Sequence, residues 1–333
     1  MSEKENKELW EGNENSEEVQ ENSNEGKILT SPQEKDANLR LDLFLANELG
    51  LTRNYIQKLI HMGNVEILNL QRKLKAALKV SPEMQIVVTL PPIETLEVEP
   101  EPVSFEVAYE DSSLLVINKP SGLVVHPAPG NWHGTLVHGL LYAYPDMRKF
   151  DEEVRPGIVH RLDGGTSGLL VVARNRNVLL LLQEQFRSRS VEKKYLALCR
   201  GTPHRKTGLI DAPIGRSHRN RVMMAVTESG RPSLTEYRVL WSQKNYSLIE
   251  CTLHTGRTHQ IRVHLKHIGC PLVGDELYGT KECLQKTPGR IFLHAWKLTF
   301  THPITGREMK FRAELPQELS LFLKNILSSD RAR

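Results

Sequence analysis

"GIVHRLDGGTSGLLVVAR", residues 157–174, sets one carboxylate, Asp163, between an arginine and a pair of glycines, and an apolar run follows directly. The glycine-rich turn leaves three readings open: a loop that cradles phosphate, a plain turn, or the seat of a catalytic acid. The apolar run "LLVVAR" is the more decisive feature for the fold. It has no polar alternation, as a strand covered on both faces would not. Around it lie "LLVINKPSGLVVHP" (strand, Pro-Ser-Gly turn, strand) and the strand-like runs "KKYLALCRG", "LTEYRVL", "YSLIECTL" and "GRIFLHAWKLTFTHP". "NVLLLLQEQF" is expected to be a helix capped by Asn177, and "GRTHQIRVHLKHIG" to open as a turn and become helical. Strands do not alternate regularly with helices. The expected class is therefore α+β with a mixed, largely antiparallel sheet, rather than a doubly wound parallel one.

Size and composition bound the rest. At 333 residues two unequal domains are expected, and a hydrophobic share of 39% supports a real core. No apolar run approaches the roughly 18 to 20 residues of a membrane span. The first residues, "MSEKENKELWEGNENSEEVQ", contain no apolar segment of a secretory signal. Cys199, Cys251, Cys270 and Cys283 form no C-x-x-C pair and read as reduced, mostly buried thiols, which fits a cytoplasmic protein without membrane attachment. Residues 1–36 carry 11 acidic and 4 basic residues, while the other 297 carry 40 basic and 29 acidic. An acidic tail on a basic body points to a polyanionic partner, although basic surfaces also serve solubility alone.

Residues 1–36 lack apolar periodicity and are expected to be a disordered tail. The pattern then changes. "RLDLFLANELG" puts Leu41, Phe44, Leu45 and Leu49 on one helical stripe with Gly50 as its stop. "LTRNYIQKLIHMGNV" repeats the pattern, with Thr52 as N-cap and Gly63 as stop. "VEIL" and "QIVVTL" read as short strands. Arg40, Arg53 and Lys58 take exposed positions at these helices, where basic side chains and helix-terminal N–H groups favour backbone phosphate. Residues 37–92 resemble the S4-type RNA-binding domain. They differ from it in carrying "LNLQRKLKAAL" where such domains turn with Asn-Gly, which implies a longer, more basic loop. The Pro- and Glu-rich stretch at 93–102 is expected to be a linker to a domain at 103–328.

Several chemistries can be weighed on the residues themselves. "DGGTSG" lacks both G-x-G-x-x-G spacing and the G-K-[ST] ending of a P-loop, and a strand rather than a helix follows it. His254, His259, His264 and His267 are interleaved with Arg257, Arg262 and Lys266, which would repel a cation. No H-E-x-x-H is present, so no metal is expected. Arg257 and His259 read instead as RNA-facing. Ser167 stands in G-T-S-G, not in a nucleophile elbow. For Asp163 the plain alternative is a turn cap. A carboxylate at the edge of a buried strand is costly without a cation, however. A lone Asp matched to an Arg suits a nucleophile better than the paired carboxylates of a glycosidase.

At this point "VHRLDGGTSGLLVVAR", "EKKYLAL", "LHTGRTHQIRVHLKHIGCPLVGDELYG" and "LLVINKPSGLVVHPAPGN" together resemble the signature segments of the RluA-type pseudouridine synthases, nearest the RluD-like branch. The likeness spans residues 103 to about 320. It implies the pseudouridine synthase fold and an isomerisation of uridine in large-subunit ribosomal RNA, without cofactor or metal, by a protein expected to be monomeric. It implies Asp163 as the nucleophile, attacking either C1′ of the sugar or C6 of the base. Arg262 would be its cationic partner, Tyr195 the residue that stacks on the base and takes a late proton, and Arg161 the side chain that enters the RNA stack as the uridine leaves. The loop "RSHRNRVMMAV", with Arg216, Arg219 and Arg221, resembles the family's phosphate-binding segment. Family members commonly carry D-K-D-T-S-G where this chain has Gly164-Gly165, which implies a more permissive turn. The competing reading is a non-catalytic S4-containing RNA-binding protein of ribosome assembly.

Overall fold

The computed structural model describes residues 27–328 apart from 52, 69, 71–73, 91–97, 129, 150–155, 218, 219, 221 and 244. The chain divides between residues 94 and 95 into two units.

In the first unit, β1 (Lys27–Thr30) is followed by α1 (Leu41–Glu48), α2 (Arg53–Met62), β2 (Val65–Ile67) and β3 (Ile86–Thr89). The strands form an antiparallel sheet in the order β1-β3-β2. Leu41, Phe44 and Leu45 of α1 pack with Ile56, Leu59 and Ile60 of α2 and with Val65, Ile67, Ile86 and Val88 of the sheet. The expected helical stripes thus form this core, and Gly50 and Gly63 end the helices at φ +65° and +82°. One expectation is corrected. The expected tail runs to Asp36, yet Lys27–Thr30 pairs with β3, Lys27 opposite Thr89. β2 fills only one edge of β3, and the other edge presents backbone groups that β1 satisfies without any apolar periodicity of its own. The expected Thr52 cap, tail residues 1–26 and part of the basic loop lie outside the described residues.

The second unit is built on a sheet of nine described strands, ordered β4-β5-β6-β13-β7-β12-β11-β8 with β14 on β13. Its strands are β4 (Glu106–Glu110), β5 (Leu114–Lys119), β6 (Ser167–Ala173), β7 (Glu192–Arg200), β8 (Thr207–Asp211), β11 (Leu234–Gln243), β12 (Tyr246–Leu253), β13 (Leu293–Thr301) and β14 (Glu308–Arg312). β9 (Ile214–Arg216) and β10 (Met224–Val226) form a separate hairpin. Every pairing in the large sheet is antiparallel except β6 with β13. The helices are α3 (Leu136–Ala143), α4 (Arg176–Arg187), α5 (Gln260–His267), α6 (Lys281–Gln285) and α7 (Gln317–Ser328). The architecture is α+β with a mixed, largely antiparallel sheet. β6 is buried along its whole length, as its unbroken apolar run requires.

Three local expectations need correction. The cap of α4 is Asn175 rather than Asn177: its side chain accepts from the Val178 N–H at 3.0 Å, so the helix opens two residues earlier. "GLVVHP" is no strand; the chain turns after β5 so that the Gly122 N–H donates to the Gly164 carbonyl of the Asp163 loop and the Leu123 carbonyl accepts from Lys119. Of the expected linker, 93–97 lies outside the described residues. Residues 98–102 belong to the second unit: Val98 packs on its core and Glu101 accepts from the Gly134 N–H. All four cysteines are free and buried. Among the described residues no helix is long and apolar enough to cross a membrane.

Candidate active site

The opening motif is held by its carbonyls. The Gly164 oxygen accepts from the Lys119 ammonium (3.1 Å) and the Gly122 N–H (2.8 Å), and the Gly165 oxygen from the Ser121 hydroxyl (2.9 Å) and Arg290 (3.1 Å). The Thr166 N–H closes the turn on the Asp163 carbonyl at 3.0 Å. The permissive turn expected of Gly164-Gly165 is not what their backbone shows, since neither has positive φ. The glycine that the backbone demands is Gly168, at φ +114°, where a Cβ would stand 2.2 Å from the Ala295 carbonyl oxygen. This close approach is the parallel junction of β6 and β13, with Gly168 opposite Ala295. Asp163 sits four residues before β6, at that seam.

A cavity of about 390 Å³ opens there, lined by Asp163, Arg161, Tyr195, Arg257, His259 and Arg262 among others. It lies in the size range of small-ligand sites. Asp163 comes from the loop, Tyr195 from the middle of β7 and Arg262 from the first turn of α5. The Arg262 Nη1 stands 3.5 Å from Asp163 Oδ2. Its other guanidinium nitrogens bind Asp275, Nε to Oδ2 and Nη2 to Oδ1, both at 2.8 Å. The wholly buried Asp275 carboxylate also accepts from the Leu277 and Tyr278 N–H groups. Burial opposes the charge on Arg262, but Asp275 and then Asp163 outweigh it and raise its pKa. The Tyr278 ring lies under the guanidinium, 4.8 Å from centroid to carbon. Burial, reinforced by the negative Asp163, pushes the Tyr195 phenol above its usual range.

The loop before α5 is fixed from below. Gln260 is buried, and its carboxamide binds the Thr255 hydroxyl, the Arg257 N–H, the Leu234 carbonyl and the Thr235 hydroxyl. His259 caps α5 in the left-handed region (φ +57°), with its Nδ1 2.8 Å from the Tyr278 hydroxyl. His264 faces inward instead, bound to Thr235 and Ala212. Asp275, Tyr278 and Gln260 all lie in the signature-like segment 253–279, where the sequence pattern assigns them no role. Their signal was a buried polar residue beside a charged one.

The remaining sequence-predicted residues disperse. Arg161 is exposed at the cavity mouth, its Nη1 3.3 Å from His126 Nε2. Arg216 ends β9 and does not line the cavity; Arg219 and Arg221 lie outside the described residues. In the first unit, Arg40 and Arg53 each place Nε 3.0 Å from Asp42, a fully buried carboxylate that also receives Gln57. The Arg40 hydrogen bond foremost, with Gln57 and Arg53, outweighs burial and holds the Asp42 carboxyl far below the usual range. The two arginines are therefore committed groups with partly exposed heads, and Lys58 is exposed. The four histidines of residues 254–267 do not converge. Among the described residues the one group with three ligating atoms in reach of a metal is Glu101, His133 and His138, away from the cavity. There the Thr135 N–H donates to His138 Nδ1, which leaves the ring proton on Nε2 facing Glu101, a hydrogen-bonded arrangement.

Comparison with known proteins identifies the family. The family described as RNA pseudouridylate synthase matches residues 113–267. The chain is 42% identical over 294 residues to "Uncharacterized RNA pseudouridine synthase YlyB" of Bacillus subtilis, covering 88% of this chain and 96% of that protein. It is also 42% identical over 304 residues to "Ribosomal large subunit pseudouridine synthase D" of Zymomonas mobilis, covering 88% and 95%. Among solved structures, human "RNA Pseudouridylate Synthase Domain Containing 1" aligns with a TM-score of 0.52 and 28% identity, over 73% of this chain and 98% of that one. The carboxylate–guanidinium pair at the β6–β13 seam thus sits within a likeness that runs through nearly the whole second unit, and the chain belongs to the RluA-type RNA pseudouridine synthases, which are isomerases.

Proposed function

We propose that this enzyme isomerises specific uridines of large-subunit (23S) ribosomal RNA, with Asp163 as nucleophile acting on a base flipped out of the stack. The observation that carries the reading is the pairing of Asp163 with Arg262 at 3.5 Å inside a cavity that Tyr195 also lines. Arg262 is immobilised by Asp275, so the cation is preorganised rather than recruited. Both side chains are mostly covered yet reach the cavity, so the pair sits where a flipped base would meet it. Arg161, exposed at the mouth, is placed to fill the gap left by the departing base, since guanidinium planes stack on nucleobases. Tyr195 supplies a stacking face.

The choice of ribosomal RNA rests on relatives named "Ribosomal large subunit pseudouridine synthase D". In this reading the first unit is an S4-like RNA-binding module. Arg40, Arg53 and Lys58 then contact backbone phosphate, as do Arg216, Arg219, Arg221, Arg257 and His259 around the catalytic unit. The protein acts as a monomer in the cytoplasm. The test is Asp163→Asn on 23S transcripts, read by primer-extension stops after carbodiimide treatment. Stops should vanish while RNA affinity stays near wild type; a variant that still yields stops would overturn the nucleophile.

A further inference from the structure

The cavity holds a second lysine-sized problem. Lys193 lines it, two residues before Tyr195 on β7 and hence on the same face of the strand. Its ammonium lies 5.1 Å from the centroid of the Phe186 ring, which in turn stacks on His160 at 4.6 Å. Among the described residues no carboxylate, carbonyl or hydroxyl meets that ammonium. Its neighbour Lys194, on the opposite face, is paired with Glu192 at 3.1 Å. Burial brings the Lys193 pKa down to about 8, and burial first, then Lys193, brings that of His160 to about 3, so the imidazole beside it is neutral.

A half-buried cation without an anion is costly unless something with negative charge arrives. The other cations at the cavity each have at least one hydrogen-bonding partner: Arg262 has Asp275 and Asp163, Arg257 the Pro232 carbonyl, and Arg161 at the mouth His126. His259 is bound to Tyr278. Among these cations Lys193 is the one with no hydrogen-bonding partner among the described residues.

We propose that Lys193 is a further catalytic residue, donating to a carbonyl oxygen of the flipped uracil and stabilising the negative charge that builds on the ring. The inference rests on the isomerase reading of the same cavity. When the C1′–N1 bond breaks, its electron pair leaves with the base, and the charge spreads over N1, O2 and O4. On the C1′ route Asp163 holds C1′ as an ester meanwhile; the ring's pair then forms the C1′–C5 bond as the ester bond breaks and its pair returns to Asp163, and C5 loses its proton while N1 gains one, so the formula is unchanged and no co-reactant is needed. Addition at C6 would also load charge on a ring carbonyl, so the role does not depend on the route. A donor aimed at developing charge in a dry site acts on the transition state more than on the bound ground state.

The experiment compares wild type, Lys193→Met and Lys193→Arg on a 23S transcript, under single turnover with saturating enzyme, alongside RNA dissociation constants across salt. Lys193→Met should lower the rate on bound RNA by about 10²-fold or more, with affinity little changed, and Lys193→Arg should recover part of it. A weaker affinity with a salt slope reduced by about one and an unchanged bound rate would mean a phosphate contact and overturn the proposal. So would wild-type behaviour in both measurements. If Lys193→Met does not fold, Lys193→Gln is judged by the same criteria. A wild-type protein that forms no pseudouridine would bring down the functional reading itself, whereas an active wild type with an equally active variant refutes Lys193 alone.

Discussion

Arg262 binds Asp275 through two hydrogen bonds of 2.8 Å and reaches Asp163 through a single longer contact of 3.5 Å. The cation therefore belongs structurally to Asp275 and is offered to Asp163. Asp275→Asn should leave Arg262 with one acceptor in place of a charged fork and let its guanidinium turn. Loss of a buried ion-pair partner costs about 3 kcal/mol in stability, and a misplacement near 1 Å costs roughly 10²-fold in rate. Thermal unfolding and single-turnover pseudouridine formation read the two effects. Arg262→Lys, which cannot span both carboxylates, should fold and yet lose comparable activity; a fully active Lys variant would sink the positioning role.

The glycines of the opening motif divide into two kinds. At Gly164 a Cβ would meet only Val124 Cγ2, at 3.3 Å, and the backbone is of a kind that any residue adopts. At Gly168 it would collide with Ala295 backbone in a left-handed conformation. Gly164→Ala should keep the melting temperature and activity near wild type. Gly168→Ala should lose about 3 kcal/mol or more, from strain together with overpacking. Circular-dichroism melts of the two variants, side by side, provide the check.

Tyr195 is fitted by its surroundings to stack rather than to ionise. Burial and the neighbouring Asp163 raise the phenol's pKa, so a phenolate in this cavity is disfavoured at working pH. Tyr195→Phe, which keeps the ring, should retain much more activity than Tyr195→Ala. Proton removal by a phenolate would instead make Phe as damaging as Ala, with a wild-type rate that climbs between pH 8 and 10.

These contrasts mark where the sequence was legible. Unbroken apolar runs disclosed β5 and β6, and helical spacing disclosed α1 and α2, because burial imposes its period directly on residue type. Asp163, Tyr195 and Arg262 were recoverable because their segments resemble a family as a set, and the cavity brings the three together. Asp275, Gln260 and Lys119 were not singled out, since their work is to satisfy groups distant in sequence, and a single chain shows no partner for a buried polar atom. β1 was missed for the same reason: its contribution is backbone pairing, which leaves no mark on composition. Arg40 and Arg53 illustrate the same blindness from the other side: their exposed heads are legible in the helical pattern, but their pairing with the buried Asp42 is not.

Lys119 turns this hidden bonding into a pH-dependent one. Its side chain is wholly buried, and the ammonium donates to Pro120, Leu123 and Gly164 carbonyls at 2.8, 2.7 and 3.1 Å. Burial, then the nearby Arg290, brings its pKa to about 7, with Asp163 pulling weakly the other way. In the unfolded chain the value returns to about 10.4. Below pH 7 both states hold the proton, and the cost of burying the charge is present in full. Between pH 7 and 10.4 the unfolded state binds more protons than the folded one, so this lysine's contribution to stability improves as pH rises, by up to about 1.4 kcal/mol per pH unit. Lys119→Met removes the titration and all three carbonyl contacts, the one to Gly164 of the Asp163 loop included. Denaturant unfolding of both proteins at pH 6, 7, 8 and 9 should show the wild type gaining on the variant only above pH 7. A stability difference that is flat from pH 6 to 9 would show that Lys119 keeps its proton throughout and that Asp163, with the three carbonyls, stabilises the ammonium more than burial opposes it.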